Sequence, residues 1–183
     1  MTAQKSKHPN AHAAVRPLQE TATTRRSFIN ELNFTYRRLL RLLPALTRRV
    51  GPVPLGAVLD HQHAVDASIA DDLGHLAAQH GRAPEPCECA EANALVENLY
   101  HADRAATTPA GRTAAIVRAL KSVRTFLIRA WGGLINTLSP ETQPAYLQEA
   151  RELQSREAEL HRELVVLGRS GEESSTSSDD EKP

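Results

Sequence analysis

The stretch from Arg112 to Leu138, RTAAIVRALKSVRTFLIRAWGGLINTL, decides the fold. Ile116, Leu120, Val123, Leu127, Ala130 and Leu134 alternate in steps of four and three, which lines apolar side chains along one stripe of a helix packed in a bundle. Thr108 before Pro109 supplies a cap and a first-turn proline, and Gly132-Gly133 marks the expected end. From Arg104 to Pro140 there is no Asp or Glu, whereas Arg104, Arg112, Arg118, Lys121, Arg124 and Arg129 are basic. The segment is therefore a core helix that brings no carboxylate to the interior.

Working outward, the flanking segments have the same period. Phe28, Leu32, Thr35, Leu39, Leu42 and Leu46 define a first helix, starting at Thr23 or Thr24 and ending near Val50, with Pro44 expected to kink it rather than stop it. Gly51-Pro52-Val53-Pro54 turns the chain back into a second helix, Leu55 to His80, ending at Gly81. On a wheel of about 100° per residue, Leu55, Val58, Gln62, Val65, Ile69, Leu73, Leu76 and His80 share its inner face, with Asp66 roughly 60° from Ile69. Cys89 to His101 reads as a short extra helix with Leu95 and Leu99 inward. Ser139-Pro140-Glu141 opens the last helix, whose seam is Tyr146, Ala150, Leu153, Glu157, Leu160 and Leu164.

The scarcity of aromatic residues, one Trp, three Phe and three Tyr in 183 residues, agrees with an all-α chain. The expected architecture is an up-down-up-down four-helix bundle over residues 23–168, with the short helix between the second and third core helices. A basic arm, 1–22, and an acidic serine-rich tail, 169–183, have the composition of disordered segments. Residues 1–50 hold 10 basic and 2 acidic groups, 51–103 hold 1 and 9, 104–140 hold 6 and 0, and 141–183 hold 5 and 11. Alternating sign suits a ring in which each helix touches its sequence neighbours, and Arg118, Lys121 and Arg124 are expected to face the acidic last helix.

Zero net charge removes the global field that would recruit nucleic acid or an anionic membrane, so neither is an expected partner. No apolar run has the length of a signal-peptide core or a transmembrane span, which predicts a cytoplasmic protein.

The chain resembles the uncharacterised bacterial four-helix-bundle proteins of the ferritin-like superfamily between about Phe28 and Leu167. The resemblance rests on Phe28-Ile29-Asn30-Glu31-Leu32, the Gly-x-x-Pro turn Gly81 to Pro84, Ala94-Leu95, Thr113-Ala114-Ala115-Ile116, Leu138-Ser139-Pro140-Glu141 and Ala158-Glu159-Leu160-His161. It implies the fold and a di-iron or di-manganese ancestry. Such centres take about four carboxylates with Glu-x-x-His spacing on two helices. This chain departs from that set: relatives place a Glu where it has Lys121-Ser122-Val123-Arg124, and a carboxylate where it has Thr35 and Tyr36.

Glu157 and His161, one turn apart on the buried side of the last helix, are the sharpest candidate metal ligands, with Asp66. The same residues also make a structural polar layer with Gln62, Thr35 or Ser122, because a buried carboxylate needs partners in any fold. Asp60-x-x-His63 has ligand spacing but lies on the solvent face, and His8 with His12 falls in the basic arm. Cys87-Glu88-Cys89 is read as loop and helix-start cysteines, the zinc or redox alternative drawing on His80 and His101. The expectation is a non-catalytic bundle with a degenerate metal site and no cofactor, in a structural or stress-related role, as a homo-oligomer or with a protein partner. The alternative is a metal-binding oxidase or peroxide-handling protein using iron or manganese at a modified site.

Overall fold

The stripe from Ile116 to Leu134 is buried along its whole length. It belongs to the fourth of the five described helices: α1 Ala11–Val50, α2 Pro54–Gln79, α3 Ala90–Ala102, α4 Pro109–Asn136 and α5 Pro144–Thr176. The computed structural model describes residues 11–50, 54–79, 84–85, 89–102, 104 and 106–176, with side-chain detail between 22 and 169. The described residues are all-helical apart from turns and connections and contain no strand. None of their helices is long and apolar enough to cross a membrane.

The seams of the other long helices are largely buried, with Phe28 of α1 and Val58 and Val65 of α2 half-buried. Leu32, Thr35, Leu39, Leu42 and Leu46 of α1 and all six expected positions of α5 are inside, and α1 continues through Pro44. Helix ends depart further from expectation. α1 starts at Ala11, well before Thr23, because Ala11, Ala13, Ala14, Leu18, Gln19 and Glu20 are good helix formers and threonine is tolerated mid-helix. Likewise α5 runs to Thr176, past the expected start of the tail. The rest of the expected arm and tail, 1–10 and 177–183, lies outside the described residues.

Gly132-Gly133 does not end α4, which has its N-cap at Thr108 and runs to a C-cap at Thr137. The Thr137 hydroxyl donates to the Leu134 carbonyl at 2.7 Å, and Arg25 Nη2 of α1 donates to the Thr137 carbonyl at 2.7 Å. A cation thus meets the negative end of the helix, where the last carbonyls lack helical partners. Gly133 serves packing instead: a Cβ there would stand 2.5 Å from Phe28 Cε1. Ser139-Pro140-Glu141 is a turn and not the start of α5, with Gln143 N–H donating to Ser139 O at 2.9 Å. Pro144 has no N–H to extend that turn and disfavours helical geometry at Gln143, so the helix starts at Pro144.

The order of neighbours is not the expected ring. α1 packs on α2, α3 and α4, α4 also packs on α3 and α5, and α2 packs on α5. Arg25 meets Thr137 and Tyr36 meets Trp131, so α1 and α4 are antiparallel. Gln154 meets Ile128 while Gly168 approaches Val117, which makes α4 and α5 antiparallel; Gln62 meets Leu160 and Asp72 meets Arg156, which does the same for α2 and α5. Hence α2 and α4 run parallel on a diagonal, and the connection carrying α3 crosses the end-to-end length between them.

This order puts like charges on two edges, basic α1 beside basic α4 and acidic α2 beside acidic α5. α3 lies on the first of these edges and supplies its anions. Glu97 pairs with Arg38 of α1, and Glu91 accepts from Arg129 of α4 at 2.5 Å. On the second edge Arg156 donates to Asp72 at 2.8 Å, and His61 Nε2 lies 3.2 Å from Glu163 Oε1. Exposed pairs contribute about 0–1 kcal/mol each, so α3 is held mainly by burying Ala92, Val96, Leu99 and Ala102.

The glycine pair gives a direct check on the α1 to α4 approach. Gly132 would place a Cβ 3.3 Å from the far end of the Gln154 side chain, whereas Gly133 would drive one into the Phe28 ring. Both alanine variants gain helix propensity, but overpacking costs about 1–3 kcal/mol. Gly133→Ala should be less stable than Gly132→Ala by about that margin in urea denaturation, and equal stabilities would show that the close approach is absent.

Candidate functional site

Each long helix sends at least one polar side chain to a common point in the core. α2 brings Gln62 and Asp66, α5 brings Glu157, α1 brings Tyr36, and α4 brings Arg124 and the Trp131 indole. All six are fully buried, at 0% exposure. Burying a charge in an apolar interior is unfavourable unless it is paired and its hydrogen bonds are made, so the geometry of Arg124 decides whether this point is stable.

Every N–H of the guanidinium has an acceptor. Nη1 donates to Asp66 Oδ1 at 2.6 Å and to Glu157 Oε1 at 3.1 Å. Nη2 donates to Asp66 Oδ2 at 2.9 Å and to Gln62 Oε1 at 2.9 Å, and Nε also donates to Gln62 Oε1, at 3.2 Å. The Asp66 contact is bidentate, the fork geometry in which guanidinium and carboxylate match best. Gln62 is oriented from its other end, its Nε2 donating to the Leu160 carbonyl at 3.1 Å. Tyr36 donates to Glu157 Oε2 at 2.8 Å and accepts from Trp131 Nε1 at 3.0 Å. A single hydrogen-bonded chain thus runs from Trp131 through Tyr36, Glu157 and Arg124 to Asp66 and Gln62.

With both carboxylates ionised the cluster carries one cation and two anions. Burial alone would push the Arg124 guanidinium toward neutrality, but Glu157 and Asp66 outweigh it and hold the group above its ordinary range. The Glu157 carboxyl is raised, chiefly by burial; Arg124 opposes the rise and Asp66 adds to it. Tyr36 is pushed well above a normal phenol by burial and by the nearby Glu157 and Asp66 charges, so it acts as a fixed donor.

The expected site is therefore assembled in part. Asp66 and Glu157 come together, with Gln62 as their partner, but His161 does not join them. It is half-buried, and burial followed by Lys121 and Arg124 lowers its pKa. Thr35 is buried but bonds its own helix, donating to Glu31 O at 2.7 Å, and Ser122 is exposed and donates to Arg118 O. Arg124 is the largest departure, since it lies at the centre and not on the surface toward α5. A second stripe on α4, Val117, Leu120, Arg124, Leu127, Trp131 and Leu134, has steps of three and four and includes Arg124 among apolar positions.

The donor set does not suit a di-metal pair. Two carboxylates are present where about four are needed, and the guanidinium fills the space between them. Among the described residues no group of three or more His, Cys, Asp or Glu side chains is placed to share a metal. Asp60 is exposed, His63 half-buried, Cys89 a half-buried free thiol and His101 exposed. His8, His80 and Cys87 lie outside the described residues, as does the His12 side chain. General acid–base chemistry needs a substrate within hydrogen-bond reach, and no polar atom of this cluster belongs to a residue with surface in contact with solvent.

Comparison with protein-family models, with curated proteins and with solved structures found no match to this chain.

The raised Glu157 carboxyl sets a pH dependence. Folded above its unfolded value, it contributes stability that is complete below the unfolded carboxyl range, near pH 4, and is lost as pH rises through the folded pKa. Glu157→Gln keeps an acceptor for Tyr36 and for Arg124 but cannot titrate. Urea denaturation across about pH 4–8 should show native stability declining toward neutral pH relative to this variant, with the two curves converging in acid. Parallel curves would mean that Glu157 is not strained by burial.

Proposed function

We propose that this chain is a ferritin-like four-helix bundle in which Arg124 has taken the place of a di-metal centre. On this reading it is a non-catalytic cytoplasmic protein acting through its surface, in a structural or stress-related role. The observation that carries the reading is the guanidinium between Asp66 and Glu157, with all five N–H groups satisfied.

Three features support it. Metal ions in bundle cores offset the charge of inward carboxylates from facing helices, and Arg124 does this electrostatic work with a covalently attached cation. The order α1, α2, α5, α4 around the core, with one long connection between α2 and α4, is the connectivity by which ferritin-like folds differ from simple up-down bundles. The cluster is also closed: its residues are fully buried, so what remains for recognition is the outer surface.

Elemental analysis of protein purified without added metal, paired with thermal melts, tests the proposal. The expected outcome is no stoichiometric iron or manganese and a melting midpoint unmoved by a chelator, because the core carries its own counter-charge. One or two metal ions per chain, lost together with stability on chelation, would contradict the proposal and favour the metal-binding alternative.

A further inference from the structure

The parallel course of α1 and α3 leaves a cavity of about 300 Å³ between their C-terminal halves. Its apolar wall comes from Leu42, Ala45, Val96 and the Tyr100 ring, and its rim from Arg38, Arg41 and Glu97. That volume and that lining, mostly apolar with a few fixed polar groups, are those of a small-molecule site.

Among the described residues that line the cavity, two guanidinium groups face one carboxylate. Arg38 is paired with Glu97, which holds that guanidinium at the rim, and the same carboxylate lies 3.9 Å from His101 Nε2. Arg49 and Arg104 stand over the Tyr100 ring, 5.2 Å and 5.3 Å from its centroid. Arg41 is exposed and makes no ion pair or hydrogen bond with a described residue. Two guanidinium groups, Arg38 and Arg41, thus line one apolar cleft with Glu97 as the one carboxylate among the described lining residues.

We propose that this cleft binds a small amphipathic anion. Its short hydrocarbon chain lies against Leu42, Ala45, Val96 and Tyr100, and its carboxylate or phosphate headgroup accepts from Arg41, with Arg38 beside it. The tail is needed because the wall is apolar, and the anion because Arg41 has no partner among the described residues. The guanidinium fork suits either headgroup.

Calorimetric titration with octanoate, octyl phosphate, octanol and inorganic phosphate tests both halves. Saturable binding is expected for octanoate, octyl phosphate or both, with a dissociation constant of about 1 mM or tighter. The stronger of the two identifies the headgroup. Octanol and inorganic phosphate should each bind at least about tenfold more weakly, and Arg41→Glu should weaken the amphiphile about tenfold or more. Because Arg41 is exposed and has no partner among the described residues, that variant should melt with the native protein, and Ala45→Leu, which narrows the cleft, gives a second variant with Arg41 intact. No saturable binding, equal binding of octanol or inorganic phosphate, or amphiphile binding undiminished in both variants would overturn the proposal.

Discussion

A guanidinium enclosed on all sides is the constraint around which the described helices are arranged. Arg124 on α4 meets Asp66 and Gln62 on α2 and Glu157 on α5, and Tyr36 on α1 ties Glu157 to Trp131. The cation and its acceptors must sit within hydrogen-bond distance of one another while fully desolvated. A slip of one turn, about 5.4 Å along any helix axis, would break those contacts and strand a charge in hydrocarbon. The apolar seams tolerate such slips better, since one leucine can replace another. The polar centre therefore specifies register, while burial of the seams supplies most of the stability.

The surface charges follow from the same arrangement. Placing α4 beside α1 brings two basic helices together, an edge that four helices alone would leave repulsive. The segment between α2 and α4 answers with α3, whose Glu91 and Glu97 reach Arg129 and Arg38. This explains why the acidic block of the sequence extends through the short helix. Among the described residues of that edge, Arg41 has no such carboxylate partner.

Much of this was legible in the sequence. Periodicity marks every long helix and most of its buried residues, the α2 wheel puts Gln62 on the inner face with Asp66 at its margin, and the α5 seam includes Glu157. What escaped was Arg124. A seam traced through Val123 and Ala130 passes it by, and a run of basic residues without acids reads as a solvated face, since an arginine is rarely buried unless paired. Its partners lie on other helices, so only tertiary structure shows that they converge. The neighbour order escaped for a related reason: charge alternation favours a ring when four elements are counted, and α3, the fifth, changes the balance. Gly133 escaped because its signal resembles termination, whereas its cause is the Phe28 ring of a different helix.

If Arg124 is the internal counter-charge of the fold, removing it leaves two buried carboxylates facing each other without a cation. Their pKa values must then rise, through burial and mutual repulsion, and acid should repair what the substitution broke. The direct measurement is the unfolding free energy of Arg124→Met against the native protein at about pH 7 and about pH 5. A loss of about 3–5 kcal/mol at neutral pH, substantially recovered in acid, is the predicted result. A loss below about 1 kcal/mol, or one that does not change with pH, would contradict a fold built around this cation.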